Sequence, residues 1–471
     1  MLRSRWTHAL ALVALCPAVA LASGAGGSAS GDLAAAARLR AYESSFAVAH
    51  MTPSFARQTG LACSACHTHY PELTAMGRAF KLNGYVLRLG ADSLQGRNPQ
   101  GGQNMLLNLV TPLSFMLQTS FTATNKIQPG TQNGTVFFPD QLSVFTGGEI
   151  TPHVGAFLQL TFDPQSGGFG IDNADVRYAG NTTLFGANTV VGLSLNNNPT
   201  VQDLWNSTPA WGFPYGSSSA APAPAAATLI DGGLGGQVAG LTAYTMWNNK
   251  VYAEAGAYRA APLGVGRPLV LDSNSVGIVS GFAPYWRLAL PMNFGQHSLT
   301  LGTYGMSVQT YAGPGAPLNR FTDVAVDMNY MVPLGNNSFT LDGTWIHEAQ
   351  HRPAGTTQNV DNTLKTLRFA AMYHVGHKYA FTVAPFWTTG TADDVLYEPS
   401  AAATDLNGSR TGLPDATGVI GEVDFMPWQN LRLQLQYVAY SKFNGASSDY
   451  NGFQRNASDN NTLYLLTWLL F

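Results

Sequence analysis

Two cysteines and a histidine stand close together near the amino end of this 471-residue chain, as Cys63, Cys66 and His67. In the spacing CxxCH, two thiols bond the vinyl groups of a porphyrin and the imidazole that follows ligates its iron. We therefore predict one haem c, attached to Cys63 and Cys66, with His67 as the proximal iron ligand. In an exported chain the two cysteines would alternatively form a small disulfide, but that alternative leaves the adjacent histidine without a role.

The ligand on the opposite face of the iron is left open by the sequence. Met76 is our candidate for this distal ligand, and His50, Met51 and His69 are the alternatives. His69 stands very close to His67 for a chain that must reach the other face of the porphyrin. A methionine ligand would raise the reduction potential, whereas a second histidine would lower it. Met76 would equally serve as a core residue of its own helix.

Other histidines form a pattern of a different kind. Residues His347 to His351 match HExxH, which binds zinc when a helix brings both histidines to one face. Residues 341–345 alternate as in a strand, and histidines four apart on a strand are ~13 Å from each other. We therefore expect a solvated loop start, with a rim site for a metal-ion substrate as the alternative, rather than a zinc protease. His374 and His377 are expected to flank a short turn and to need no ligand role.

The amino end has the pattern of a secretory signal. Arg3 and Arg5 precede a short apolar stretch, and Ala20-Leu21-Ala22 fits a cleavage site. We therefore predict a signal peptide at 1–22 and export from the cytoplasm. Charged residues make up only 11% of the chain, and no later apolar run is long enough for a helical membrane span. The net charge of −3 gives no reason to expect a nucleic-acid partner.

From about residue 105 onward, apolar or aromatic side chains occupy every second position in segment after segment. Short turns alternate with long loops, such as 197–230, which we expect outside the cell. The count of segments is roughly sixteen, and an even number is typical of single-chain bacterial barrels. The terminal Phe471 resembles an outer-membrane insertion signal. The predicted strands are 112–126, 140–151, 153–165, 168–181, 187–198, 233–247, 250–261, 278–292, 296–311, 320–333, 336–350, 362–375, 377–390, 416–427, 430–443 and 460–471.

The predicted fold class is all-β, with a small helical segment at the amino end. We predict a signal peptide at 1–22, a monohaem cytochrome c segment with its linker at 23–104, and an antiparallel transmembrane β-barrel at 105–471. The middle part is short for an independent cytochrome, whereas the lumen of a sixteen-stranded barrel is wide enough to hold a plug. We therefore expect the haem segment to plug the lumen.

The haem segment also resembles a known family. Residues 53–85, which contain the CxxCH motif, are similar to the haem segment of the fused monohaem cytochrome–porins of bacterial outer membranes. Residues 198–206 and 209–214 are similar to the same broad group. The best-known members of the family are iron-oxidising proteins that accept electrons from extracellular Fe(II).

The resemblance implies haem attachment at Cys63 and Cys66, ligation by His67, and electron transfer across the outer membrane. The donor would be extracellular, with Fe(II) as the family's example, and the acceptor would be a periplasmic cytochrome or blue-copper protein. An Fe(II) oxidase or cytochrome reductase activity would follow from such a role. Two alternatives stay open: a diffusion porin whose haem is structural or regulatory, and outward electron export to extracellular acceptors.

Overall fold

The computed structural model describes residues 53–87, 112–163, 167–260, 278–311 and 317–471. The predicted signal peptide lies outside the described residues, as do His50, Met51 and residues 91–104, which we take as the linker of the predicted cytochrome segment. No helix among the described residues has both the length and the apolar character needed to cross a membrane.

Three short helices precede the strands in the described part of the chain: α1 (Ser54–Thr59), α2 (Cys63–Cys66) and α3 (Ala75–Leu82). Thr74 caps α3, because its hydroxyl oxygen accepts the N–H of Gly77 at 3.3 Å. The same hydroxyl donates to the carbonyl oxygen of Ala65 at 2.7 Å and so ties the start of α3 to α2. Gly77 completes the contact, since a Cβ there would overlap the carbonyl oxygen of Cys66.

The strands of the described residues form one closed antiparallel sheet, in which β1 pairs with both β2 and β17. The two-residue strand β8 and the longer β9 both pair with β10, so together they occupy one position in the wall of the barrel. The wall is therefore sixteen strands wide. The strands are β1 (Leu113–Thr124), β2 (Thr135–Thr151), β3 (Val154–Asp163), β4 (Gly168–Leu184), β5 (Ala187–Asn196), β6 (Val238–Trp247), β7 (Val251–Ala260), β8 (Ile278–Val279), β9 (Ala283–Phe294), β10 (His297–Tyr311), β11 (Asn319–Leu334), β12 (Asn337–His351), β13 (Asp361–Val375), β14 (Tyr379–Gly390), β15 (Ala416–Trp428), β16 (Leu431–Lys442) and β17 (Thr462–Leu470).

The prediction of a sixteen-stranded antiparallel barrel is confirmed. Each predicted segment coincides with one strand position of the wall, and the predicted short turns join strands at one end of the barrel. The chain end takes part in closure, because the N–H of Phe471 donates to the carbonyl oxygen of Phe115 at 2.9 Å. The two phenyl rings stack with their centroids 5.6 Å apart.

The two faces of the wall differ in polarity. On β16, Leu433 and Leu435 are 37% and 46% exposed on the outside, whereas Gln434 and Gln436 are buried in the lumen. Successive side chains of a strand point to opposite faces, so an alternating sequence gives one apolar and one polar face. An apolar outer face around a polar interior is the arrangement found in transmembrane barrels.

The connection between β5 and β6, residues 197–237, lies inside the barrel, and we call it the luminal loop. The prediction that 197–230 is an outer loop is therefore wrong. Residues 199–208 are all buried, and the side chain of Asp203 forms an ion pair with Arg287 of β9 at 3.0 Å. Inward-facing polar groups of the wall bind this loop. Closure of the barrel places these groups in the lumen, and the composition of the loop gives no sign of them.

The contact between the amino-terminal segment and β3 leads to a first prediction. A Cβ on Gly155 would overlap the carbonyl oxygen of Gly84, so Gly155→Ala should push residues 53–87 away from the wall. We expect faster protease cleavage within this segment, while the barrel keeps its heat-modifiable migration on gels.

The matched control is Gly421→Ala, because a Cβ at Gly421 of β15 meets nothing within 4 Å. This variant should match the wild type in both assays. Equal cleavage rates for Gly155→Ala and Gly421→Ala would contradict the close contact.

Candidate functional site

The CxxCH residues lie at the short-turn end of the barrel. Cys63 and Cys66 bound the single turn of α2, and both thiols are free. Burial raises the pKa of the Cys63 thiol, so this group stays protonated at neutral pH. The backbone N–H of Ser64 donates to Oε1 of Gln429 at 3.4 Å, and Gln429 belongs to the turn between β15 and β16. The structure therefore places two free thiols, one helical turn apart, next to the turn between β15 and β16.

His67 has a defined tautomer. Its Nδ1 lies 3.1 Å from the carbonyl oxygen of Glu72, which only accepts hydrogen bonds, so Nδ1 carries the proton and Nε2 keeps its lone pair. Burial lowers the pKa of His67 to about 4, and the imidazole is therefore neutral at neutral pH. A neutral imidazole whose other nitrogen donates to a backbone carbonyl is the form in which histidine ligates a metal. These features fit a proximal haem ligand.

Arg432 of β16 holds the residues that follow the motif. Its Nη1 donates to the carbonyl oxygen of Tyr70 at 3.2 Å, and the ring of Tyr70 packs edge-on against Trp468 at 5.4 Å. The remaining donors of Arg432 are used by Glu422 at 2.6 Å and Asp424 at 2.7 Å. The guanidinium is completely buried and therefore binds the amino-terminal segment and two carboxylates of β15 at once.

Arg177 of β4 makes an equivalent contact at the end of α3. Its Nη1 donates to the carbonyl oxygen of Lys81 at 3.1 Å, and its Nη2 donates to that of Gln202 in the luminal loop at 2.9 Å. Its Nε donates to Asp175 at 2.7 Å, and the same carboxylate accepts the hydroxyl of Tyr85 at 2.6 Å. One buried guanidinium thus joins the amino-terminal segment, the luminal loop and the wall.

Lys81 joins the amino-terminal segment directly to the luminal loop. Its Nζ donates to the carbonyl oxygen of Asp203 and lies 4.7 Å from the ring centroid of Trp211. Burial lowers the pKa of Lys81 to about 7, and the nearby charge of Arg177 acts in the same direction. A lysine of this kind is part of the interior rather than a surface charge.

The predicted haem residues come together as the sequence requires, since Cys63, Cys66 and His67 lie on one turn and the residue that follows it. Met76 lies on α3, is 41% exposed, and is followed by the Gly77 that contacts Cys66. The assignments of the haem ligands stay predictions, and that of Met76 as the distal ligand does too.

The HExxH residues all lie within β12, and Glu348 is buried, so the expectation of a solvated loop start is wrong. Glu348 points into the lumen and accepts the N–H of Leu229 from the luminal loop. His351 binds Asp361 of the next strand at 2.7 Å. Neighbouring residues of a strand face opposite sides, so this pattern does not have the helical arrangement on which the zinc motif depends.

His374 has contacts that the sequence analysis missed. It stands on β13 beside a short turn, as expected, but its side chain is buried in the lumen and its Nε2 lies 3.0 Å from Oε2 of Glu72. His69 lies on the other side of that carboxylate, with its Nδ1 at 3.2 Å from the same oxygen. His374 meets His69 and Glu72 because barrel closure brings β13 next to the amino-terminal segment. It is far from both residues in the sequence, so no local pattern links them.

No family model matches the sequence, and no curated protein matches it. The chain is similar at low identity to solved structures of outer membrane proteins. OmpT, an outer membrane protein of Vibrio cholerae, is 10% identical, with 77% of this chain and 97% of that chain covered and a TM-score of 0.42. The anion-selective porin from Comamonas acidovorans is 14% identical, with 76% and 98% covered and a TM-score of 0.44. The outer membrane channel DcaP of Acinetobacter baumannii is 11% identical, with 76% and 96% covered and a TM-score of 0.43.

The buried arginine at Tyr70 leads to a second prediction. Arg432→Met should lower the free energy of unfolding by roughly 3–5 kcal/mol, because it leaves Glu422 and Asp424 buried without their cation. Urea titration in detergent micelles, followed by tryptophan fluorescence, measures this loss.

Lys442→Met provides the control on the same strand. Lys442 pairs with Asp415 at 3.2 Å but is 41% exposed, so its loss should cost less than about 1 kcal/mol. Similar losses for the two variants would refute the role assigned to Arg432.

Proposed function

We propose that this chain spans a bacterial outer membrane as a barrel and transfers electrons through one haem c attached to its amino-terminal segment. The observation that carries the proposal is the CxxCH segment inside a closed barrel, with two free thiols and a neutral His67 whose Nδ1 is bonded to a backbone carbonyl. Outer-membrane lipid suits the outer face, where leucines such as Leu433 and Leu435 are exposed while glutamines face the lumen.

The residues present fit the prosthetic group. Cys63 and Cys66 would form the thioether bonds, and His67 would offer Nε2 to the iron. A bound haem c supplies one-electron redox chemistry at its iron. The carbonyl of Glu72 keeps the imidazole in the ligating tautomer, and Arg432 holds the neighbouring Tyr70 against the wall.

The interior contacts support a role other than free diffusion. The amino-terminal segment and the luminal loop together bind inward-facing groups on several strands, including Arg177, Arg287 and Arg432. A filled lumen suits a protein that carries electrons while solutes are excluded. We propose an extracellular donor, with Fe(II) as the first candidate, and a periplasmic cytochrome or blue-copper protein as the acceptor.

Haem attachment is tested by replacing the motif. Cys63→Ser combined with Cys66→Ser should abolish covalent haem in a pyridine haemochrome assay, because the thioether bonds are no longer formed. His67→Ala should remove the redox signal of the purified protein. Both variants should retain a folded, heat-modifiable barrel, because the wall is built from other residues.

The wild type and His377→Ala are the controls, since His377 is an exposed residue of a short turn. Both should carry one covalent haem per chain. A colourless wild type would overturn the proposal, and Fe(II)-dependent reduction of haem in His67→Ala would overturn the role of His67. A redox titration then separates the two directions of flow, since a strongly positive midpoint potential favours Fe(II) oxidation and a markedly negative one favours export.

A diffusion channel is the second candidate function. A cavity of about 300 Å³ lies between the luminal loop and strands β13 to β16, with Arg368 and Gln436 among its lining residues. A cavity within a closed barrel is the kind of space through which small solutes pass.

Liposome swelling with sugars distinguishes the two functions. We expect vesicles that contain the purified protein to swell hardly faster than empty vesicles, because the interior segments occupy the lumen. A general porin in matched vesicles serves as the positive control. Swelling as fast as that control would favour the diffusion channel.

A further inference from the structure

A group of three buried side chains connects the amino-terminal segment to the barrel wall. Glu72 Oε2 lies 3.0 Å from Nε2 of His374 and 3.2 Å from Nδ1 of His69, and the rings of the two histidines are 4.9 Å apart. The three side chains are at most 2% exposed. Their potential ligand atoms all lie within 4.8 Å of one another.

These close groups do not satisfy one another as hydrogen-bond partners. Both ring nitrogens of His69, both of His374, and Oε1 of Glu72 have no hydrogen bond among the described residues, although the atoms are close together. Leaving a buried polar atom without a partner costs about 1–3 kcal/mol. Native interiors contain few such atoms, so several in one place point to an additional partner such as a bound ion.

The chemistry of the three donors suits a metal ion. Two imidazoles and one carboxylate form a set that binds Zn²⁺ or Fe²⁺ through bonds of about 2.0–2.2 Å. Donors at that distance from one ion are separated by roughly 3–3.5 Å, which agrees with the two distances to Glu72. The hydroxyl of Thr68 also donates to Oε2 of Glu72, and this hydrogen bond orients the carboxylate.

We propose that His69, Glu72 and His374 bind one divalent transition-metal ion, and that this ion fastens the amino-terminal segment to β13. Two of the ligands come from the segment and one from the wall, so the ion is bound fully only when the segment lies inside the barrel. A ligand that binds one state of a protein stabilises that state by mass action. The site does not use Cys63, Cys66 or His67, so covalent haem attachment can be measured separately from it.

The test uses the full chain without a polyhistidine tag, purified in detergent, stripped with a chelator and dialysed against Zn²⁺. Elemental analysis should find one zinc ion per chain in the wild type and none in His374→Ala. His377→Ala is the matched control, because this histidine lies in the adjacent turn but is exposed, and it should keep its zinc. Zinc should also slow protease cleavage of residues 53–87 in the wild type and in His377→Ala, but not in His374→Ala.

Each outcome decides the proposal. A wild type that binds no zinc overturns it, and so does a His374→Ala variant that binds as much zinc as the wild type. If His374→Ala loses the heat-modifiable barrel, Glu72→Gln replaces it, since glutamine keeps the size of the side chain and removes its charge. Loss of zinc in folded Glu72→Gln supports the site, and retention of zinc overturns it. Covalent haem is measured in the same samples. Loss of zinc with unchanged haem content distinguishes failure of this site from failure of haem attachment.

Discussion

Buried guanidinium groups that pair with carboxylates determine how the interior of this barrel is arranged. Arg177, Arg287 and Arg432 are completely buried. Taking an ion out of water costs several kcal/mol, and this cost is recovered only when the geometry of the pair is good and the remaining donors are also bonded. The carboxylates of the wall satisfy some of these donors, and the interior segments satisfy others.

This requirement makes the wall and its contents depend on each other. Arg432 donates to the carbonyl oxygen of Tyr70, and Arg177 donates to those of Lys81 and Gln202. Arg287 binds Asp203 of the luminal loop together with Asp327 of β11. Without the interior segments, buried donors of each arginine would lose their partners, so the filled lumen is part of the folded state.

The same dependence explains how such short helices present a CxxCH motif. Helix α2 has a single turn, and isolated helices of that length are not stable in water. Its orientation comes from outside, through the cap of Thr74, the contact at Gly77 and the wall beside Gln429. The motif therefore has a defined position because the barrel encloses it.

The sequence by itself determined the strands, and it predicts the chemistry of the CxxCH motif. Alternation along a strand and the spacing of two cysteines and a histidine are local properties, so they can be read without knowledge of the fold. The tertiary structure decided which side chains meet. The local HExxH pattern has no helix to support it, whereas His374 meets His69 and Glu72, which lie some three hundred positions earlier in the chain. The luminal loop reads as an ordinary polar connection, and Lys81 reads either as a surface charge or as a partner of a haem propionate. Both are interior because closure of the sixteen-stranded wall places charged groups from distant strands around one lumen. Each of these buried charged groups needs a partner.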